Sequence, residues 1–189
     1  MIFISPYVKK ALCFAAQKHD GQYRKGDSIP YIVHPIQVAF GVSKYTNDQE
    51  IIAAALLHDV LEDCVNVSVH LLRKEFGNRT ALMVNELSYK KTKKKKTWKE
   101  RKKIYLSKIK RASKDALIIV AVDKMCNLEL YIDILKKENN IISLFKGTPS
   151  EYFWYYKKIE EILKSKFGSG SRIVKDYNKI LKLLEKENL

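Results

Sequence analysis

The stretch Ala54-Ala55-Leu56-Leu57-His58-Asp59-Val60-Leu61-Glu62-Asp63 places the tightest constraint on this chain. An apolar run, begun at Ile51 and Ile52, delivers four ionisable residues within six positions. On a continuous helix, His58 would stack with Glu62 and Asp59 with Asp63, each at i, i+4. The spacing therefore predicts one helix running through the whole stretch, with its polar end facing one side. Unpaired charge beside so apolar a segment is costly, so these groups need a partner. The competing reading is a solvated helix end carrying surface acids.

The rest of the chain favours helices as well. Apolar residues recur mostly at spacings of three and four, and only 7 glycines and 4 prolines interrupt them. At 189 residues the chain fits one domain with a substantial core. We expect an all-α fold, with the main domain over residues 1–167 and a helical extension over 168–189. Three cysteines, Cys13, Cys64 and Cys126, show no metal-finger or CxxC spacing, which suits a reducing cytoplasmic setting. No apolar run is long enough to span a bilayer, and residues 1–5 lack the basic start of a signal peptide. The net charge of +15 points to anionic partners, among them nucleotides, nucleic acid or acidic lipid.

Taken in order, residues 6–19 read as a helix with Val8, Ala11, Leu12, Ala15 and Ala16 on its apolar face and His19 at its end. Residues 21–31 form a polar loop. Pro35 is placed to open a second helix, leaving His34 just before it. Asn47-Asp48-Gln49-Glu50 resembles a capping box for the third. Ser68 caps a short helix that Gly77 ends, and residues 80–88 give another. Residues 90–103 hold nine lysines and one arginine against one glutamate, a composition typical of a solvated segment. Helices follow from Trp98 to Ala112, from Ser113 to Lys137, from the Thr148-Pro149-Ser150-Glu151 start, and over 172–187 after a glycine-serine hinge.

Four groups in this scheme carry chemistry: His34, the pair His58-Asp59, the pair Glu62-Asp63, and Asp123 with Asn127 one turn later. Asp123 follows six apolar residues, and a carboxylate buried there requires a cation or a set of donors. Two imidazoles and two carboxylates suit a borderline divalent ion such as Mn²⁺ or Fe²⁺, and Zn²⁺ accepts the same donors. His19 reads as a packing or supporting histidine and His70 as a surface one. Trp98, Tyr105, Trp154 and Tyr155 read as packing residues.

The order His34-Pro35, His58-Asp59, Asp123 resembles the H…HD…D pattern of the HD-domain phosphohydrolases. Arg24-Lys25-Gly26, Pro30-Tyr31-Ile32-Val33-His34-Pro35, Phe76-Gly77 and Asp123-Lys124-Met125-Cys126-Asn127 narrow it. Together these stretches resemble the alarmone hydrolase domain of the RelA/SpoT homologue family, in particular its small single-domain members, over about residues 6–165. The resemblance implies a multi-helix bundle with a metal site between helices, in which His34, His58, Asp59 and Asp123 hold one Mn²⁺. It implies that Glu62 and Asp63 position and deprotonate the attacking water. Arg24 and Lys25 would meet the guanine or the phosphates, and Asn127 the ribose or the 3′-phosphate side. The implied reaction removes the 3′-pyrophosphate from guanosine 3′,5′-bis(diphosphate) or the pentaphosphate, with no synthetase domain expected.

Two positions depart from the family pattern. Val120 stands where a lysine is common, and Cys126 where a histidine or tyrosine is frequent. Both bear on which nucleotide is used more than on the fold. The alternatives are an HD phosphohydrolase acting on another nucleotide, such as a nucleoside monophosphate or an NADPH-like molecule, and a basic nucleic-acid-binding protein. The sequence argues against the last as the main activity, because charge runs are common and an ordered ligand set is not.

Overall fold

Ile51, Ala53, Ala54, Ala55, Leu56 and Leu57 are all buried. A helix apolar on every side has to lie inside its unit, with other helices around it. The computed structural model describes residues 5–24, 28–89, 96–136 and 147–186, with the side chains of 135 and 136 left aside. Its described residues are helical apart from turns, loops and one isolated antiparallel bridge between Tyr23 and Pro30. They fall into two compact units, Met1–Lys91 and Thr92–Leu189.

In the first unit, α3 (Gln49–Leu56) is the central helix and packs against α1 (Pro6–Lys18), α2 (Val33–Val42) and α5 (Val69–Leu87). Ser5, Asp48 and Ser68 cap α1, α3 and α5 by accepting from backbone N–H groups two or three residues on. Arg79 on α5 donates to Asp48 Oδ2 at 2.7 Å and Glu50 Oε2 at 2.8 Å, pinning the start of α3. The expected end at Gly77 is seen as a kink inside α5, with φ 75° and ψ 171°, a conformation open to glycine alone at low cost. The apolar face of α1 differs in one detail. Ala11, Ala15 and His19 are buried at successive i+4 steps, whereas Ala16 is exposed.

The expected continuous helix through residues 54–63 is not formed. α3 ends at Leu56, a turn covers residues 57–59, and a single helical turn, α4 (Val60–Asp63), follows. No glycine or proline marks this break. The His58 side chain makes it understandable, because Nδ1 donates to the Ala55 carbonyl at 2.8 Å and so caps the C-terminus of α3. α2 also differs from expectation, since it begins at Val33 and holds His34 within its first turn.

In the second unit, α7 (Lys114–Lys136), α8 (Pro149–Phe167) and α9 (Arg172–Lys186) pack on one another, and α6 (Trp98–Ile109) packs on α8. Thr97-Glu100 and Thr148-Glu151 form complete capping boxes at the starts of α6 and α8. Trp98, Tyr105 and Tyr155 pack as expected, within an aromatic cluster that includes Tyr152 stacked on Tyr131 at 5.0 Å. A Cβ on Gly147 would meet the Trp98 ring at 3.0 Å, so any larger residue there would press on that ring. No described helix is long and apolar enough to cross a membrane.

Candidate metal centre

The break after α3 is what assembles the site. It turns His58 and Asp59 out of the helix, and α2 brings His34 up against them. One ligand atom from each of His34, His58 and Asp59 lies within 4.8 Å of the others. His58 Nε2 is 3.1 Å from Asp59 Oδ2, and His34 Nε2 is 3.8 Å from the same oxygen. The two imidazole rings meet edge to face at 5.2 Å, and both are buried. With Nδ1–H of His58 committed to Ala55, its Nε2 carries the lone pair that faces Asp59. Two imidazole nitrogens and a carboxylate this close fit a divalent ion.

Residues outside the candidate ligand set support the cluster, among them His19, which the sequence reads as a packing or supporting histidine. Tyr31 donates its hydroxyl to Asp59 Oδ2 at 2.7 Å and rests its ring on His19 at 4.9 Å. Its position three residues before His34, in the first turn leading into α2, was the available signal. His19 is buried, and its Nδ1 donates to Gln22 Oε1 at 2.8 Å. Gln22 Nε2 in turn donates to the Asp63 carbonyl at 2.9 Å, tying the loop after α1 to the end of α4. Cys64 lies 3.4 Å from His19 Nδ1. Burial and the neighbouring Asp63 carboxylate push its thiol up to about 11, so it stays protonated at neutral pH.

Glu62 and Asp63 sit on α4, directly after Asp59. Glu62 is half-buried, and its Oε1 accepts from the Tyr89 backbone N–H, whereas Asp63 is exposed. Arg24 is half-buried in the loop before α2, where its N–H donates to the Ile29 carbonyl at 3.1 Å. Lys25 lies outside the described residues. His70 is exposed, as expected.

Asp123 and Asn127 belong to the second unit, on α7. Asp123 is buried; its Oδ1 accepts from Asn127 Nδ2 at 2.6 Å, and Lys124 pairs with its Oδ2. Burial opposes the Lys124 charge, but the Asp123 carboxylate prevails and holds the ammonium well above its ordinary range. The six apolar residues before Asp123 did foretell this burial: of Leu117 to Val122, only Ile118 is not fully buried. Val120 lies in the core, and Cys126 is half-buried.

Comparison with known proteins gives the family. A family model described as "HD domain" matches residues 11–143. A Xenopus tropicalis protein named guanosine-3′,5′-bis(diphosphate) 3′-pyrophosphohydrolase MESH1 is 35% identical over 124 residues, covering 64% of this chain and 67% of that protein. The Aquifex aeolicus guanosine-3′,5′-bis(diphosphate) 3′-pyrophosphohydrolase is 42% identical over 77 residues, which is 41% of this chain but only 11% of that longer protein. Among solved structures, a metazoan orthologue of SpoT, described as hydrolysing ppGpp and acting in starvation responses, superposes with a TM-score of 0.75. It is 26% identical, over 96% of this chain and 97% of that one. Three clustered donors in the expected order, on an all-helical scaffold matched over most of its length, place the chain in the HD-domain family, in its RelA/SpoT homologue branch.

Proposed function

We infer that this chain hydrolyses guanosine 3′,5′-bis(diphosphate) and the corresponding pentaphosphate at the 3′ position, releasing pyrophosphate and GDP or GTP. The observation that carries the reading is the His34–His58–Asp59 cluster, with all three ligand atoms within 4.8 Å. His34, His58 and Asp59 would hold one Mn²⁺, with Asp123 as the fourth ligand. When bound, the ion polarises a phosphoryl oxygen and lowers the pKa of bound water. Glu62 and Asp63 position the attacking water and take its proton, from the turn that follows Asp59. Arg24 and Lys25 meet the guanine or phosphates, since a guanidinium both stacks and pairs with phosphate while an ammonium acts as a point charge. Asn127 meets the ribose or 3′-phosphate side in this reading; its amide also donates to Asp123 Oδ1 at 2.6 Å. The hydrolase domain spans residues 1–167 in this reading, with 168–189 as its helical extension.

Incubating the Mn²⁺-loaded protein with guanosine 3′,5′-bis(diphosphate) should yield pyrophosphate and GDP in equal amounts. The same protein should release little orthophosphate from nucleoside monophosphates or NADPH. An intact tetraphosphate, or orthophosphate from those other nucleotides, would assign the site to a different substrate. His58→Ala and Asp123→Ala should each lower the rate by at least about 100-fold, more than the roughly 10- to 100-fold lost when only a ligand's supporting partner is removed.

A further inference from the structure

The excess positive charge is not spread evenly. Residues 1–91 carry 11 Lys and Arg against 9 Asp and Glu, and residues 92–189 carry 25 against 12, so net +13 of the +15 lies in the second unit. Within that unit, α9 orders its share. Arg172, Lys175, Lys179, Lys182 and Lys186 recur at alternating steps of three and four, and all five are exposed. At about 100° per residue they fall within a stripe roughly 80° wide and about 21 Å long. Ile173, Val174, Tyr177, Leu181 and Leu184 occupy the opposite side and are buried.

Some other cations on the outside of this protein are matched by acids. Lys157 pairs with Glu160 and Glu185, Lys158 with Glu161, Lys164 with Glu160, and Lys10 with Glu75. The two acids of α9 lie off the stripe, with Asp176 against Arg172 at 3.7 Å and Glu185 turned to Lys157. The side chains of Lys175, Lys179, Lys182 and Lys186 make no ion pair or hydrogen bond among the described residues. Like charges at i, i+3 and i, i+4 repel along a helix, and a cation in the first turn opposes the helix dipole. Apart from Lys186, which suits the helix dipole in the last turn, folding gains little from such a stripe, whereas a line of phosphates would relieve both penalties.

We propose that the outward face of α9 binds the phosphodiester backbone of nucleic acid, independently of the hydrolase site. Four of the five cations are lysines, which act as point charges, so contacts to phosphate rather than readout of base sequence are expected. A lipid surface fits less well. The apolar side of α9 is committed to the core, and only Leu183 is an exposed large apolar side chain on this helix, whereas stable adsorption takes a second, inserting signal.

The test uses the full chain and a fluorescein-labelled single-stranded RNA of roughly 20 nucleotides, followed by anisotropy between about 50 and 200 mM KCl. Duplex DNA and phosphatidylserine vesicles serve as parallel probes. Replacing Lys175, Lys179, Lys182 and Lys186 by glutamine should flatten the log–log salt dependence on RNA by about 3, at roughly 0.7 per phosphate contact. Removing the same charge from the first unit, through Lys9→Gln, Lys44→Gln, Arg73→Gln and Lys74→Gln, should change the slope by less than about 1. Pyrophosphate release should be unaltered by the α9 changes. Equal losses from both sets, an unchanged slope, or binding to vesicles but to neither nucleic acid would each overturn the proposal. If circular dichroism shows the fourfold variant unfolded, Lys179→Gln with Lys182→Gln should still flatten the slope by about 1.4.

Discussion

Asp59 is held by a residue that no metal-ligand pattern includes. The Tyr31 hydroxyl reaches its Oδ2 at 2.7 Å, and the Tyr31 ring rests against His19 and His34. Partners that orient metal ligands change affinity by about 10- to 100-fold when lost. Tyr31→Phe keeps the ring and removes the donor, so Mn²⁺ affinity measured by titration calorimetry should fall by about 10-fold with thermal stability nearly unchanged. An affinity equal to that of the parent would show that Asp59 is oriented by other means. Residue-level reading of the sequence did well with buried charge. Asp123 and His58 were both marked by the apolar runs that precede them, and both are buried. Tyr31 escaped because its partner is 28 positions away, and nothing in its own neighbourhood distinguishes a hydroxyl donor from a packed ring.

Among the helices, capping residues were the most legible feature, since each cap acts within three positions of itself. Ser68 and Thr148 cap as expected and Asp48 caps α3 within the expected stretch, while Ser5 and Thr97 cap helix starts for which the sequence reading named no cap. Gly77 adopts a conformation other residues reach only at a cost, with open space around a would-be Cβ. Gly77→Ala should therefore destabilise by about 1–3 kcal/mol through the backbone alone, as measured by urea unfolding. The start of α3 adds a pH dependence. Burial raises the Asp48 pKa, but its bonds to Arg79 and the Glu50 N–H outweigh that and leave it lowered. A carboxylate lowered on folding contributes stability above its unfolded value near 3.8, and that stability is lost as pH falls through the folded value. Its side chain is 34% exposed, so screening keeps the contribution below about 1 kcal/mol. Asp48→Asn should lose that amount at pH 7 and flatten the acid limb of stability below about pH 4, read from denaturation midpoints at several pH values.

For the whole molecule, Asp123 is the one proposed ligand outside the described His34–His58–Asp59 cluster, so its membership is tested by itself. Metal binding should stabilise the full chain. At free Mn²⁺ about 100 times its Kd, the gain is about 2.7 kcal/mol, seen as a rise in Tm. Asp123→Asn removes the partner of a buried Lys124, so the metal-free variant should itself melt lower. The decisive quantity is the Mn²⁺-dependent increment, which should largely vanish in Asp123→Asn. An increment of the parent size would remove Asp123 from the ligand set.

The all-helical architecture, most helix starts and the order of the donor residues were determined by the sequence alone. They rest on three-to-four periodicity and on capping groups, which act within one turn of themselves. The assembly of those donors was decided by tertiary structure. A continuous helix from Ile51 to Asp63 would satisfy every local preference, yet the His58 imidazole takes the Ala55 carbonyl and the helix ends at Leu56. That choice depends on α2 and Tyr31 being present to receive His58 and Asp59, across separations of about 24 and 28 residues. Propensity does not act over such distances; packing around the buried α3 does.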